Sequence, residues 1–329
     1  MRGPARVVLG ALSVLTLLAV TACGAGPGGA GEPVEGLRIL VPNTPGGGYD
    51  TTARTAARVM EEARIASDVQ VFNVPGAGGA VGLQRVVNER GNGRLALQMG
   101  LGVVGTSHVS GARVTVARTT PLARLIEEAG AVVVREDSPY RTVEDLVAAW
   151  RKDPAGLRVG GGSSPGGPDH LLPMELAKAV GIDPTKVDYG AYDGGGGELL
   201  PALLDGKVAF ATTGFGEFLD QIQAGRLRVL AVTSARPVHA LPGVPTLKAS
   251  GIDLVFDNWR GIVAPPGISA ADRKTWIDAL TALHDSGRWQ AELTRHGWSD
   301  AFLTGDAFAA YLSRQDRTVA DLVTRLGLE

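Results

Sequence analysis

The chain has 329 residues, of which 44% are hydrophobic, and a formal net charge of −2 at pH 7. Its single cysteine excludes a disulfide framework and a cysteine-rich metal site, and its five histidines form no pattern with metal-ligand spacing. A mildly acidic protein without basic clusters is a poor candidate for nucleic-acid binding, which depends on phosphate neutralisation.

The N-terminus is predicted to be an export signal that spans residues 1–22. Two arginines precede the apolar run Val7–Val20, which is too short for a membrane span of ~20 residues. The tetrad Val20–Cys23 resembles a bacterial lipobox, in which cleavage before the cysteine leaves its thiol for a lipid anchor. We therefore expect an exported protein that is lipid-anchored through Cys23 to the outer face of the cell membrane. The alternative is an ordinary signal peptide that happens to contain a cysteine.

A tether is predicted to follow the signal. Residues 23–36 are mostly glycine, alanine, proline and glutamate, which cannot bury enough apolar surface to fold. The folded part begins near Leu37. Because the remaining chain of roughly 290 residues exceeds the usual size of one compact core, two domains are expected.

The first folded segment contains two strand–loop–helix units. Apolar residues predict strands at 37–41 and 69–74, and apolar residues at helical spacing predict helices at 51–64 and 80–89. Asp50 is placed to cap the first of these helices. Strands that alternate with helices indicate an α/β fold with a largely parallel sheet.

A second series of the same kind follows a predicted strand at 131–134. The segment Ser138–Thr142 introduces a helix with one apolar face, 143–150. Further strands are predicted at 157–160, 187–189, 208–212, 229–233 and 260–264, and further helices at 169–180, 198–204, 276–283 and 308–326.

The order of these elements predicts how the chain is divided. The apolar sides of the last two helices must pack on a sheet. The sheet formed by the first series of strands has a face that no other predicted helix covers. We therefore expect the chain to cross between domains near Val134 and again near Asn258. The predicted domain 1 consists of 37–133 and 259–329, and the predicted domain 2 is 134–258.

Four glycine-rich turns each connect a strand to a helix. They lie at Gly46–Gly48, Gly76–Gly79, Gly160–Gly167 and Gly194–Gly197. Glycine lets the backbone approach a ligand, and a helix N-terminus adds unpaired N–H donors and partial positive charge. Such turns suit carboxylates or phosphates and, in open α/β sheets, lie where ligands collect. The alternative is that these glycines only form tight turns.

Nucleotide-binding and catalytic motifs are not supported. Gly76–Val81 lacks the last glycine of G-x-G-x-x-G, and there is no P-loop, so no cofactor is expected. The segment Gly162–Gly166 matches the G-x-S-x-G nucleophile elbow around Ser164. However, the residue that should donate the oxyanion N–H is Pro165, which has none. We therefore predict no catalytic residue, with an exported α/β hydrolase that uses Ser164 as the alternative.

Three side chains beside the loops are candidates for the walls of a binding pocket. His170 falls in the first turn of the helix after the third loop, and the alternative for it is a local hydrogen bond. Tyr49 and Tyr192 each neighbour a glycine-rich loop. Either phenol could donate to a ligand or pack between domains.

The loop sequences resemble a known family. Pro42–Asp50 and Asn73–Gly82 resemble the two signatures of the TctC or Bug receptors, the substrate-binding proteins of tripartite tricarboxylate transporters. The resemblance continues through Ser138–Tyr140, Gly194–Glu198, Leu204–Gly206 and Asn258–Gly261, and it covers essentially the whole mature chain. Many members of this family are soluble periplasmic proteins, so the lipobox is a departure.

The resemblance implies a fold and a function. The fold is two Rossmann-like domains joined by a double crossover hinge, as in type II periplasmic binding proteins. The function is non-enzymatic: a monomeric receptor binds citrate or a related tricarboxylate or dicarboxylate between its domains and delivers it to two permease subunits. A sensory receptor that docks onto a kinase remains an alternative.

The resemblance also implies the residues of the site. The first two loops form a clamp for a carboxylate, and the second domain faces it. The implied clamp residues are Thr44, Pro45, Gly46, Gly47, Gly48, Tyr49, Asp50, Ala77, Gly78 and Gly79. The implied facing residues are Ser163, Ser164, Gly167, His170, Tyr192, Gly194 and Gly195.

Overall fold

The computed structural model of the chain describes residues 1, 3, 32–109, 114–192 and 195–328. All the elements named below belong to the compact unit Glu32–Glu329. The predicted export signal, Cys23 and the loop residue Gly194 lie outside the described residues. In the part of the chain that is described, no helix is both long enough and apolar enough to cross a bilayer.

Strands and helices alternate through most of the unit. The strands are β1 Val34–Glu35, β2 Arg38–Val41, β3 Ala66–Ser67, β4 Gln70–Asn73, β5 Leu95–Gly100, β6 Thr120–Arg135, β7 Val159–Gly161, β8 Tyr189–Ala191, β9 Phe210–Gly214, β10 Leu227–Val232, β11 Asp257–Ala264 and β12 Ser299–Thr304. The helices are α1 Gly48–Glu62, α2 Ala80–Asn88, α3 Leu101–Thr106, α4 Val143–Lys152, α5 Pro168–Ala179, α6 Gly196–Leu204, α7 Leu219–Gln223, α8 Ala270–Asp285, α9 Gly287–His296 and α10 Gly305–Arg325.

The main sheet has the strand order β4-β2-β5-β11-β6-β9-β7-β8, and β10 and β12 also pair with β6. The first part of β6 pairs with β11 and β12, and its last part pairs with β9 and β10. We call β4, β2, β5, β11 and β12 the first sheet half, and β9, β7, β8 and β10 the second sheet half. The predicted α/β fold is confirmed.

The strands next to the glycine-rich turns run parallel within each sheet half. β2 is parallel to β4 and β5, and β7 is parallel to β8 and β9. The loops after β2 and β4 therefore leave the same edge of the first half, and those after β7 and β8 leave the same edge of the second. Parallel pairing thus gathers each pair of turns in one place.

Strand β6 changes partners in its middle. Its last pair with β11 is Ala129 with Asp257, and its first pair with β9 is Gly130 with Gly214. This change lies a few residues before the predicted crossing at Val134. The domain boundaries given above stay predictions.

Apolar residues from distant parts of the chain build the core of the first sheet half. Trp276 and Leu280 of α8 and Phe308 and Leu312 of α10 lie in one buried cluster with Ile39 of β2. The prediction that the C-terminal helices cover the first sheet is confirmed. Two further clusters line the second half, with Trp150 and Phe210 packed edge to face in one of them.

Two details of the first predicted elements are corrected by the structure. Helix α1 begins at Gly48 with Gly47 as its cap residue, so Asp50 is not the N-cap. The Asp50 carboxylate instead accepts the Gly46 N–H, at 2.9 Å, from within the first turn. β6 is also far longer than the predicted strand at 131–134, because it spans both sheet halves.

Candidate functional site

The four glycine-rich turns meet at one cleft of about 280 Å³ between the two sheet halves. Most of the predicted site residues line it. From the first sheet half these are Thr44, Gly47, Gly48, Tyr49, Ala77, Gly78 and Gly79, and from the second they are Ser163, Ser164, Gly167 and Gly195. Predicted residues that do not line the cleft are Pro45, Gly46, Asp50, His170 and Tyr192.

A buried carboxylate holds the first two loops together. Asp50 accepts hydrogen bonds from Gly46 N, Arg54 Nε and Asn73 Nδ2 at 2.9 Å, and Asn73 Nδ2 also donates to Asn43 O at 3.0 Å. Burial raises the pKa of Asp50, but these hydrogen bonds outweigh burial and hold the pKa below its usual range. Asp50 therefore positions the loops and does not line the cleft.

Helix α3, which was not predicted, supports the second loop and Tyr49. The Thr106 hydroxyl donates to Gly78 O at 2.9 Å, and Gly102 N–H donates to Tyr49 Oη at 3.1 Å. Burial raises the pKa of Tyr49 to about 12, so the phenol stays neutral. The Tyr49 ring consequently forms a rigid wall of the cleft.

The two sheet halves touch beside the cleft. A β-carbon on Gly105 of α3 would lie 1.8 Å from the carbonyl oxygen of Gly166 in the third loop. The backbones can therefore approach this closely only because both residues are glycines. Leu171 of α5 is buried in the core of the first sheet half, which extends the contact.

The third loop is organised by its own hydrogen bonds. Ser163 Oγ accepts the Asp169 N–H at 3.0 Å, and Gly167 N–H donates to Ser164 O at 2.8 Å. Ser164 lies in this irregular loop, and Pro165 follows it. Without an N–H at that residue, the loop offers no oxyanion donor of the nucleophile-elbow type.

His170 lies behind the third loop. Its Nδ1 accepts the Gly166 N–H at 3.2 Å, and its ring packs edge to face against Tyr189. Burial lowers the pKa of His170 to about 4, so the imidazole is neutral at pH 7. The alternative for His170 was a local hydrogen bond at the surface; the structure shows a local hydrogen bond, but His170 is buried.

The remaining predicted residues lie at the margin of the site. The Tyr192 side chain packs against the core cluster that contains Phe215 and Phe218. Pro45 and Gly46 are exposed parts of the first loop, and Gly46 lines a smaller adjoining cavity. A binding role for these residues stays a prediction.

A buried ion pair that the sequence did not indicate crosses the floor of the cleft. The Arg260 guanidinium of β11 pairs with the Glu128 carboxylate of β6, and these side chains are 6% and 5% exposed. Arg260 Nη1 also donates to Thr52 Oγ1 at 3.2 Å. A β-carbon on Gly48 would lie 2.4 Å from Arg260 Nη2, so this glycine makes room for the guanidinium.

Two more carboxyl groups line the cleft from the second sheet half. Asp169 Oδ2 accepts the Gly162 N–H at 2.9 Å, and Glu217 Oε2 accepts the Gly196 N–H at 2.6 Å. Burial, followed by the charge of Glu217, raises the pKa of Asp169 to about 8. Burial also raises the pKa of Glu217, although its side chain is open to the cleft.

The sequence held partial signals for these missed residues. Asp169 directly follows the third glycine-rich turn, and Arg260 lies within one of the family-like segments. Glu128 and Glu217 gave no such signal, because neither lies in a glycine-rich turn.

The chemistry of the cleft suits an organic anion. Helix α1 begins at its edge, and its first-turn N–H groups have no partners within the helix. Helix α5 also begins there, but Pro168 has no N–H and the Asp169 N–H is donated to Ser163 Oγ. Among the described residues that line the cleft, Arg260 is the only one with a positive charge. Within the described ranges, no group of three or more His, Cys, Asp or Glu side chains could hold a metal ion.

Comparison with known proteins identifies, over most of the chain, the family that the loop sequences resemble. A family model described as the tripartite tricarboxylate transporter family receptor, TctC, matches residues 52–321. The "UPF0065 protein in gbd 5'region" of Cupriavidus necator is 26% identical over 303 residues, which cover 90% of this chain and 89% of that protein.

Solved structures share the fold. A TctC solute-binding protein from Polaromonas superposes with a TM-score of 0.69 at 26% identity, covering 89% of this chain and 99% of that one. Two proteins of Rhodopseudomonas palustris cover similar shares: MatC, solved with malate, has a TM-score of 0.75 at 20% identity, over 88% of this chain and 99% of that one. Rpa4515, solved with adipate, has a TM-score of 0.80 at 21% identity, and the match covers 90% of this chain and 98% of that one.

These findings confirm the predicted family and the predicted fold of two-domain periplasmic binding proteins. They also confirm the prediction of a solute-binding protein without catalytic activity, because the matching family consists of receptors. The chain belongs to the tripartite tricarboxylate transporter receptor family and is an extracytoplasmic solute-binding protein.

Proposed function

We propose that the chain binds a small organic carboxylate, a tricarboxylate such as citrate or a related dicarboxylate, in the cleft between the sheet halves. The receptor then delivers this ligand to the membrane permease subunits of the transporter. The observation that carries the proposal is the convergence of the four turns, two from each sheet half, on one cavity with the N-terminus of α1 at its edge.

The proposed roles of the two sides differ. On the first side, backbone N–H groups of Gly47, Gly48, Ala77 and Gly78 hold one carboxylate of the ligand, because they line the cleft in loops with few side chains. On the second side, Ser163 and Ser164 supply hydroxyl groups. Two neighbours in fold, MatC and Rpa4515, were solved with malate and adipate, which are both dicarboxylates, and this supports a ligand of that class.

A carboxylate ligand is expected to raise the melting temperature of protein freed of co-purified ligand. A ligand that binds only the folded state adds ~2.7 kcal/mol to the free energy of unfolding at a hundred times its Kd. Differential scanning fluorimetry with citrate, malate and adipate measures this shift, and acetate at the same ionic strength serves as the control. If no di- or tricarboxylate shifted the melting temperature more than acetate does, the proposed ligand class would be wrong.

We further propose that Cys23 anchors the receptor to the membrane through a lipid. The proposal rests on the sequence Val20–Cys23 and the small-residue segment after it. Replacement of Cys23 by serine is expected to move the protein from the membrane fraction to the soluble fraction while ligand binding stays the same. Fractionation of cells followed by immunoblotting tests this. A Cys23→Ser protein that sedimented with membranes as the parent does would contradict the anchor.

A further inference from the structure

The second side of the cleft is rich in carboxyl groups. Asp169 and Glu217 line it, and Glu128 lies at the floor. Arg260 is the only cation that the described residues contribute to the lining, and it is already engaged by Glu128 and Thr52. In the described part of the chain, neither Asp169 nor Glu217 forms an ion pair.

The two carboxyl groups without an ion-pair partner lie close together, beside the neighbouring glycines Gly162 and Gly195. A β-carbon on Gly162 would lie 3.0 Å from both Asp169 Oδ2 and Gly195 Cα, and one on Gly195 would lie 3.5 Å from Glu217 Oε2. One oxygen of each carboxyl accepts a backbone N–H, as described above. The other oxygen of each, Asp169 Oδ1 and Glu217 Oε1, is therefore the one available to a ligand.

Ionisation of Asp169, Glu217 and Glu128 at the same time costs electrostatic free energy. Like charges near one another in a partly desolvated site disfavour full ionisation, so a proton is retained. The raised pKa of Asp169 agrees with this. A neutral carboxylic acid whose free oxygen borders a cavity is a hydrogen-bond donor, which an ionised carboxylate is not.

We propose that Asp169 is a specificity-determining residue that binds the ligand in its protonated form, donating a hydrogen bond from its carboxyl O–H to a carboxylate of the ligand. This inference rests on the proposed function and deepens it. The ligand is then a dicarboxylate or tricarboxylate, with one carboxylate at the glycine loops and another at Asp169. Binding is coupled to the uptake of a proton only above about pH 8, where Asp169 is ionised in the free protein.

The other groups that face Asp169 do not reverse this expectation. Glu217 and Glu128 are acids and favour retention of the proton, whereas Arg260 opposes it from the floor. Tyr49 of α1 and His170 of α5 are neutral between pH 6.5 and 9. Burial raises the pKa of Tyr49 to about 12 and lowers the pKa of His170 to about 4. Tyr189 of β8 donates its hydroxyl to Ser163 O at 2.7 Å.

The test is isothermal titration of the full protein with malate from pH 6.5 to 9.0 at constant ionic strength. The Kd is expected to be nearly constant up to pH 7.5 and to rise about fivefold between pH 8 and pH 9, because an ionised Asp169 repels the second carboxylate. At pH 8.5, titrations in two buffers of different ionisation enthalpy should show a net uptake of part of a proton per ligand, since burial raises the pKa of Asp169 to about 8 and the free protein is then partly ionised at this residue.

The variant Asp169→Asn separates the titration from the hydrogen bond. The amide accepts the Gly162 N–H and still donates into the cleft, but it cannot ionise. Its Kd for malate is expected to lie within about tenfold of that of the parent at pH 7 and to stay constant up to pH 9. Asp253→Asn, which removes the same charge from a side chain that is 96% exposed, is expected to keep the pH dependence of the parent.

The possible outcomes are distinct. A malate affinity that stayed constant up to pH 9, or that increased with pH, would overturn the role of Asp169. Retention of the pH dependence by Asp169→Asn would do the same, and the proton-uptake measurement on the parent protein needs no variant to fold. Failure of malate, citrate and adipate to bind at any pH would instead refute the proposed function.

Discussion

Replacement of Arg260 by methionine is expected to lower the free energy of unfolding by about 3–5 kcal/mol. The Arg260 and Glu128 side chains are almost fully buried, and they pair with each other where β6 and β11 form the floor of the cleft. Loss of the guanidinium leaves a buried carboxylate without a countercharge. Urea denaturation followed by circular dichroism measures the effect as a fall in the midpoint at unchanged slope.

The double variant Arg260→Met/Glu128→Met is the matched control. It removes both charges and replaces them with apolar side chains of similar length, so no unpaired charge remains in the interior. Its stability is expected to lie within about 1–2 kcal/mol of that of the parent, because replacement of a whole buried pair is often close to neutral. Equal destabilisation of the single and double variants would show that packing, and not the charge of Glu128, sets the cost.

The sequence was sufficient to predict the α/β class because its local patterns were consistent. Apolar strands, glycine-rich turns and amphipathic helices repeated in order, and helix α4 begins at a capping box of Thr142 and Asp145. Strand β5 was missed, although all its residues are buried, because Gln98 interrupts its apolar run. The Gln98 side chain is accommodated by a hydrogen bond from its Nε2 to Gly261 O at 3.2 Å, which depends on tertiary structure.

The length of β6 could not be predicted for a related reason. Polar residues such as Arg124, Glu127 and Glu128 break its apolar pattern before the run at 131–134. Two of them are tolerated in a central strand because they have partners elsewhere: Arg124 Nε donates to Ala301 O at 2.7 Å, and Glu128 pairs with Arg260. Glu127 pairs with Arg124 of the same strand. A local pattern contains no information about such partners.

The same distinction applies to the cleft. The glycine loops were predictable because each places its donors through local backbone geometry. The charged groups were not, because Glu128, Glu217 and Arg260 lie far apart in sequence and are brought together by the pairing of β6 with β9 and β11. His170 shows the converse, since its position beside a loop suggested a ligand contact, whereas the structure gives it the Gly166 N–H as a partner.

Replacement of Gly78 by valine is expected to abolish binding of citrate and malate while the protein still folds. Gly78 has φ of +60°, a left-handed conformation that a β-branched residue adopts only with strain. Its β-carbon would also lie 2.4 Å from Thr106 Cγ2. The second loop must therefore move away from α3, and the proposed backbone donors of Ala77 and Gly78 move with it. Isothermal titration measures the binding, and circular dichroism confirms the fold.

A second set of variants separates backbone strain from the clash. Gly78→Ala/Thr106→Ser removes the methyl group that the new β-carbon would meet, while the serine hydroxyl can still donate to the carbonyl oxygen of residue 78. This pair is expected to bind more tightly than Gly78→Ala alone but less tightly than the parent, because the strain at positive φ remains. Gly287→Val is the control, since Gly287 has open space around it and no positive φ. Parental affinity in Gly78→Val would mean that the second loop does not hold the ligand, and the clamp would then have to be formed by the first loop and Arg260.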